Sequence, residues 1–170
     1  LSSIPLVIIY PLAKRFTKWP QIFLGFTFSW SIPTAWSASG MPWEWGVFTM
    51  YLATVFWVIG YDTIYGCQDS NEDEFHGIKN SAVSAKNFLI KFVISMYCFT
   101  ISLLIISGIA LNTSYFWYLG VSIVTIHFIF QIHKLKYLNE KSTITIFKSN
   151  RTVGLILTLG ALGNYINFIS

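Results

Sequence analysis

The sequence predicts an all-α fold, a polytopic transmembrane helix bundle of about five spans preceded by a half helix. Three observations predict it. Only 11% of the residues are charged, 54% are hydrophobic and the mean hydropathy is +0.58, whereas about a quarter of a soluble domain is charged. The apolar residues fall into long runs separated by short polar stretches. All 11 Lys and Arg sit on alternate connections, counting Lys91 at the start of its helix.

Residues 1–10 are apolar but too short to cross a bilayer, which needs about 20 residues. They are expected to be the last half of a helix stopped by Pro11. Lys14, Arg15 and Lys18 follow on a short connection, and Pro20 suits a helix start. Residues 21–36 form the next expected span, with Pro33 tolerated as in other membrane helices. Residues 37–45 make a Gly/Pro/Trp-rich turn in which Trp36, Trp43 and Trp45 read as interface anchors. Residues 46–60 are the third run and lead straight into an acidic stretch. Residues 88–111 and 115–133 are spans joined by an Asn112-Thr113-Ser114 turn. Residues 134–151 read as a basic, polar connection, and residues 152–169 as the last helix.

Alternating these spans places connections 14–18, 62–87 and 134–151 on one side, with all 11 basic residues once Lys91 at the start of its helix is counted. Turns 37–45 and 112–114 on the other side hold none. By the positive-inside rule the basic side faces the cytoplasm, or the matrix of an organelle. The lipid bilayer is therefore a partner, and the scattering of the cations over loops argues against nucleic acid. Cys67 and Cys98 form no metal or redox motif and read as small packing residues.

The stretch from Asp62 to Asp73 carries the chemistry. Four acids crowd into residues 69–74 of a chain with seven. If one helix runs throughout, Asp62, Tyr65, Asp69 and Asp73 share an arc of about 80°. Neighbouring carboxylates repel, which a hard cation offsets. Mg²⁺ fits, because it takes one or two carboxylates plus substrate phosphates. A solvated acidic loop between two membrane helices fits the same spacing. Lys14 and Arg15, and Lys79 beside Gly77, are candidate clamps for a diphosphate. They fit a plain topology signal as well. His127 reads as hydrogen-bonded within the bundle and His133 as interfacial.

Several stretches together carry a resemblance. Asp62, Tyr65, Asp69 and Asp73 followed by Gly77-Ile78-Lys79 resemble the DxxYxxxDxxxD and GIKS motifs of the UbiA superfamily of intramembrane prenyltransferases. Tyr10-Pro11-Leu12-Ala13-Lys14-Arg15-Phe16-Thr17 with Pro20-Gln21 is similar to that family's YPxxKRxTxxPQ stretch. Phe28-Ser29-Trp30-Ser31-Ile32-Pro33, and Phe147-Lys148 with Val153-Gly154-Leu155, are also similar. The likeness is strongest to the 4-hydroxybenzoate polyprenyltransferase branch.

The resemblance implies a nine-helix fold of which residues 1–170 are the C-terminal portion of one domain. It implies Mg²⁺-dependent transfer of a polyprenyl group from polyprenyl diphosphate to 4-hydroxybenzoate in ubiquinone biosynthesis, in a bacterial inner (plasma) membrane or, alternatively, a mitochondrial inner membrane. Asp69 and Asp73 would be the metal carboxylates and Asp62 would orient the site. Tyr65 would line it, and Lys14, Arg15 and Lys79 would bind diphosphate or the benzoate carboxylate. Asn80 stands where the family usually has Ser. The family's first motif, NDxxDxxxD, is not among these residues, so the missing N-terminal part is an expected partner. Alone, the segment is expected to insert but not to transfer. The other readings are an inactive remnant of such a gene, or a related enzyme with another aromatic acceptor.

Overall fold

The computed structural model describes residues 3–68, 75, 80–85, 88–137 and 140–169. All the regular structure among them is helical: α1 (Ile4–Phe16), α2 (Pro20–Ser29), α3 (Ser31–Ala38), α4 (Trp45–Gly66), α5 (Ser81–Ser84), α6 (Leu89–Ala110), α7 (Tyr115–Leu135) and α8 (Glu140–Ile169). Among the described residues, α4, α6 and α7 are long and apolar enough to cross a membrane.

Three expectations change. Pro11 lies inside α1 and does not stop it. A proline removes one hydrogen bond, and in an apolar helix the neighbouring turns hold the rest. The stop comes at Thr17, whose extended backbone (φ −119°, ψ 149°) turns the chain toward Pro20 at the start of α2. The span expected at 21–36 is two helices of 10 and 8 residues, broken at Trp30. Pro33 falls in the first turn of the second, where its missing N–H costs nothing. The basic stretch 134–151 is largely helix, since α8 runs 30 residues from Glu140. Hydropathy reports contact with lipid, and a helix continues into the polar interface as readily as through the apolar core.

The α4 helix is the hub. It packs most extensively on α6, then on α2, and also touches α3, α5 and α8, while α8 packs along α7 and α1 along α2. One core cluster joins Ile64 of α4 to Val93 and Tyr97 of α6, Val124 and Phe128 of α7 and Ile146 and Val153 of α8. A second holds Tyr51, Val55 and Ile59 of α4 against Phe26 and Trp30 on the α2 side. There Gly25 lets α2 approach closely. A Cβ at this position would lie 2.9 Å from the Val55 carbonyl oxygen, a backbone atom fixed within α4. Gly25→Leu should therefore destabilise the bundle by about 1–3 kcal/mol, read as a lower thermal midpoint in detergent.

The two far-side turns are built as expected of short connections. Asn112 takes a positive φ of 50° between α6 and α7, a conformation Asn tolerates. Trp36 donates through Nε1 to the Pro42 carbonyl at 2.9 Å, while Trp43 and Trp45 stay exposed.

Candidate functional site

The site is assembled at the end of α4 that leads into the acidic stretch. Asp62 sits in its last turns, half-buried, close enough for its charge to act on the phenols of Tyr10 in α1 and Tyr61 beside it. Tyr65, one turn on, is 38% exposed and tilts over Phe147 of α8 with ring centroids 4.6 Å apart. The α4 helix ends at Gly66. The helical face shared by the four sequence positions therefore runs from Asp62 to Tyr65. Asp69, Asp73 and Lys79 lie outside the described residues.

A buried clamp holds this end. Gln21 of α2 donates through Nε2 to Asn80 Oδ1 at 3.1 Å, and its own Oε1 accepts from the Ser81 backbone N–H at 3.1 Å. Asn80 Nδ2 donates to the Gly66 carbonyl at 3.0 Å, and Asn80 Oδ1 also accepts from the Ala82 N–H at 2.9 Å. Thr63 and Ser81 share a hydroxyl hydrogen bond of 3.1 Å. Ser84 Oγ donates to the Lys18 carbonyl at 3.0 Å. All these groups except Ser84 and Lys18 are buried, so the bonds are strong and their loss is costly. The contact at Gly66 is too close for any side chain: a Cβ there would sit 2.6 Å from Asn80 Oδ1.

The clamp decides which predicted residues come together. It ties the α1–α2 turn, with Arg15 exposed just before it, to Asn80, the residue that follows Lys79, and to the last residue of α4. Lys14 belongs to α1 in the same turn. The basic turn and the two ends of the acidic stretch thus share one edge of the bundle.

A second group was not singled out as a site by sequence. Trp57 and Tyr61 of α4 face Phe147, Lys148, Asn150 and Arg151 of α8 across a cleft of about 640 Å³. Asn150 Oδ1 accepts from Trp57 Nε1 at 2.9 Å and from Gln131 Nε2 at 3.3 Å. Gln131 also bonds Ser149 at 2.9 Å, and His127 shares a 3.1 Å bond with the same hydroxyl, so His127 is indeed bonded within the bundle. The signal was present in the three-residue spacing of Lys148 and Arg151, which puts both on one helix face. It was obscured because the stretch read as a connection.

With this geometry in view, the comparisons are specific. The sequence profile described as the UbiA prenyltransferase family matches residues 1–156. The chain belongs to the UbiA prenyltransferase family. It is 41% identical over 164 residues to a mitochondrial 4-hydroxybenzoate polyprenyltransferase of Aedes aegypti, covering 94% of this chain and 36% of that protein. It is 37% identical over 162 residues to a 4-hydroxybenzoate octaprenyltransferase of Vibrio cholerae, covering 94% of this chain and 56% of the relative. A mitochondrial 4-hydroxybenzoate polyprenyltransferase of Dictyostelium discoideum is 37% identical over 161 residues, covering 93% and 34%. The chain thus spans between about a third and just over half the length of these relatives. No solved structure matches.

The UbiA frame gives the clamp a meaning. Its YPxxKRxTxxPQ stretch covers the end of α1 and the start of α2, and the Gln of that stretch is the residue bonded to Asn80. By the motif resemblance, Asn80 stands where a Ser is expected. A Ser hydroxyl would not reach both the Gly66 carbonyl and the Gln21 amide, and here the longer amide spans them. Among the described residues no three His, Cys, Asp or Glu come together. Burial pushes the Cys67 thiol up to about 11, and its S–H donates to the Thr63 carbonyl at 3.4 Å.

Proposed function

We propose that this chain carries one face of a prenyl-transfer site that joins a polyprenyl group to the ring of 4-hydroxybenzoate in ubiquinone biosynthesis. The observation that carries the reading is the buried Gln21–Asn80–Gly66 clamp, because it brings the basic turn to the edge where the acidic stretch begins. The matched relatives, named as 4-hydroxybenzoate polyprenyltransferases, support the same acceptor. Relatives of both bacterial and mitochondrial kinds support a bacterial inner membrane or a mitochondrial inner membrane, with the site on the basic side.

In this reading Asp69 and Asp73 hold Mg²⁺, which when bound neutralises diphosphate oxygens and eases their departure. Arg15, with Lys14 and Lys79, binds the remaining diphosphate oxygens or the benzoate carboxylate. The allylic C–O bond breaks and its electron pair leaves with the diphosphate. The ring carbon ortho to the phenol forms the new C–C bond, and the ring proton is then lost. Asp62 orients the site from its half-buried place beside Tyr61, and Tyr65 walls it over Phe147. The apolar helices exclude water, which would otherwise capture the developing cation. We propose that the facing carboxylates come from an NDxxDxxxD helix N-terminal to these residues, as the resemblance implies.

Arg15→Ala in the complete protein should lower prenyl transfer by about 10²-fold at low donor concentration, the cost of one charge-assisted contact of roughly 2–3 kcal/mol. Insertion should be unchanged, because the other loop cations keep the charge bias. Initial rates with a polyprenyl diphosphate and labelled 4-hydroxybenzoate test this. Full turnover in the variant would reduce Arg15 to a topology signal.

A further inference from the structure

The opposite end of α4 carries a pocket of its own. Trp43, Glu44, Trp45 and Phe48 line a hollow of about 460 Å³, a size that admits a small-molecule headgroup. All three rings are exposed, Trp45 at 80%, and Trp45 meets Phe48 edge to face with centroids 6.0 Å apart. The backbone beneath them is fixed. Ser107 of α6 donates to the Gly46 carbonyl at 2.7 Å, and Gly46 packs so closely on Leu111 that a Cβ there would collide with it. Trp36 holds the preceding turn through the Pro42 carbonyl.

Charge decides what the pocket takes. Glu44 is the single acid outside the basic side, and neither turn on its own side holds a Lys or Arg. Its charge suits a helix N-terminus, but its side chain makes no cap hydrogen bond to α4. Aromatic faces attract a cation within about 6 Å of the ring centre, and the carboxylate supplies the balancing charge. One carboxylate offers too few oxygens for a bare divalent metal, and it repels anions. A singly charged organic ammonium fits both the rings and the acid. The level of the pocket sets the source. The 22 residues of α4 rise about 33 Å, against a hydrocarbon core of about 30 Å, so Trp45 at its start lies among the headgroups. Glu44 and Asp62 are 18 positions apart, about 27 Å along a helix, which separates this pocket from the candidate transfer site.

We propose that this pocket binds the ammonium head of a zwitterionic phospholipid in the leaflet opposite the basic side. The ammonium group lies among Trp43, Trp45 and Phe48 with the Glu44 carboxylate against it, and the phosphate and tails stay in the bilayer. The proposal rests on the membrane topology and stands without the proposed prenyl transfer.

The test is lipid binding by the complete protein in a maltoside detergent, read by native mass spectrometry. The probes are phosphatidylcholine, phosphatidylethanolamine and phosphatidylglycerol with the same tails, each titrated separately. Glu44→Gln should weaken phosphatidylcholine or phosphatidylethanolamine by about fivefold or more, as expected when a balancing charge is lost at the edge of a low-dielectric medium. It should not weaken phosphatidylglycerol, which has no ammonium. Trp45→Leu keeps an apolar side chain, removes the ring and should weaken the same lipid by about threefold or more. Loss confined to phosphatidylcholine identifies a quaternary ammonium ligand, and loss confined to phosphatidylethanolamine a primary one. Unaltered binding of both zwitterionic lipids to Glu44→Gln would overturn the proposal, and so would an equal loss of phosphatidylglycerol. Photocrosslinking of the unaltered protein provides a check independent of variant folding. Both zwitterionic lipids would carry a diazirine on an N-alkyl group that leaves the ammonium charged. Adducts at Trp43, Trp45 or Phe48 support the pocket, and adducts only elsewhere overturn it.

Discussion

Prenyl transfer by the complete protein should fall at least about 10³-fold when Asp69 and Asp73 are both replaced by Asn. Each substitution keeps the side chain's size and removes its charge, and loss of a single preorganised electrostatic partner at a leaving group typically costs about 10²–10³ in rate. Both residues lie in a polar stretch of the sequence, so helix content and membrane insertion should not change. Initial rates and circular dichroism on the same preparations check both halves of this expectation. The concentration of Mg²⁺ needed for half-maximal rate should rise in each single variant. A double variant within tenfold of the unaltered rate would return the acidic stretch to the status of a solvated loop.

The second large effect is on stability. Asn80→Ala should destabilise the bundle by about 2–5 kcal/mol, because it leaves the Gln21 amide and the Gly66 carbonyl buried without their partner. Those two bonds, at 3.1 Å and 3.0 Å, connect α2 to the end of α4. The expected readout is a lower unfolding midpoint in detergent together with faster protease cleavage between residues 66 and 80. Asn80→Ser should fall between Ala and the unaltered protein, since a hydroxyl can donate and accept but is too short to span both partners. A variant as stable as the unaltered protein would mean that the clamp does not hold the two ends together.

The apolar spans were the most legible feature of the sequence. The runs read at 88–111 and 115–133 are α6 and α7 almost residue for residue, because lipid contact selects apolar side chains along the whole length of a crossing. The break at Trp30 was hidden, since both α2 and α3 are apolar and hydropathy is blind to a change of direction. Glu140 to Arg151 looked like a loop because it is polar, and part of that polarity, at Ser149 and Asn150, belongs to a hydrogen-bonded core shared with Gln131. Of the four positions read on one helical face, Asp62 and Tyr65 lie in α4, which ends at Gly66. The clamp was out of reach. Gln21 and Asn80 are 59 residues apart, and an isolated Gln or Asn carries no signal of its partner until the helices are packed. Lys148 and Arg151 were seen as topology charges, and their common face emerged only once α8 was known to begin before them.

The central claim is that the acidic stretch and the basic turn act on one diphosphate, and coupling between them tests it most directly. Transfer rates at low donor concentration would be measured for Arg15→Ala, Asp69→Asn and the double variant in the complete protein. If both residues serve the same diphosphate, the double variant loses clearly less than the product of the two single losses, with a coupling of about 1–3 kcal/mol. If the two losses multiply, or if Arg15→Ala leaves the rate unchanged while Asp69→Asn abolishes it, the two segments do not share a substrate and the account fails.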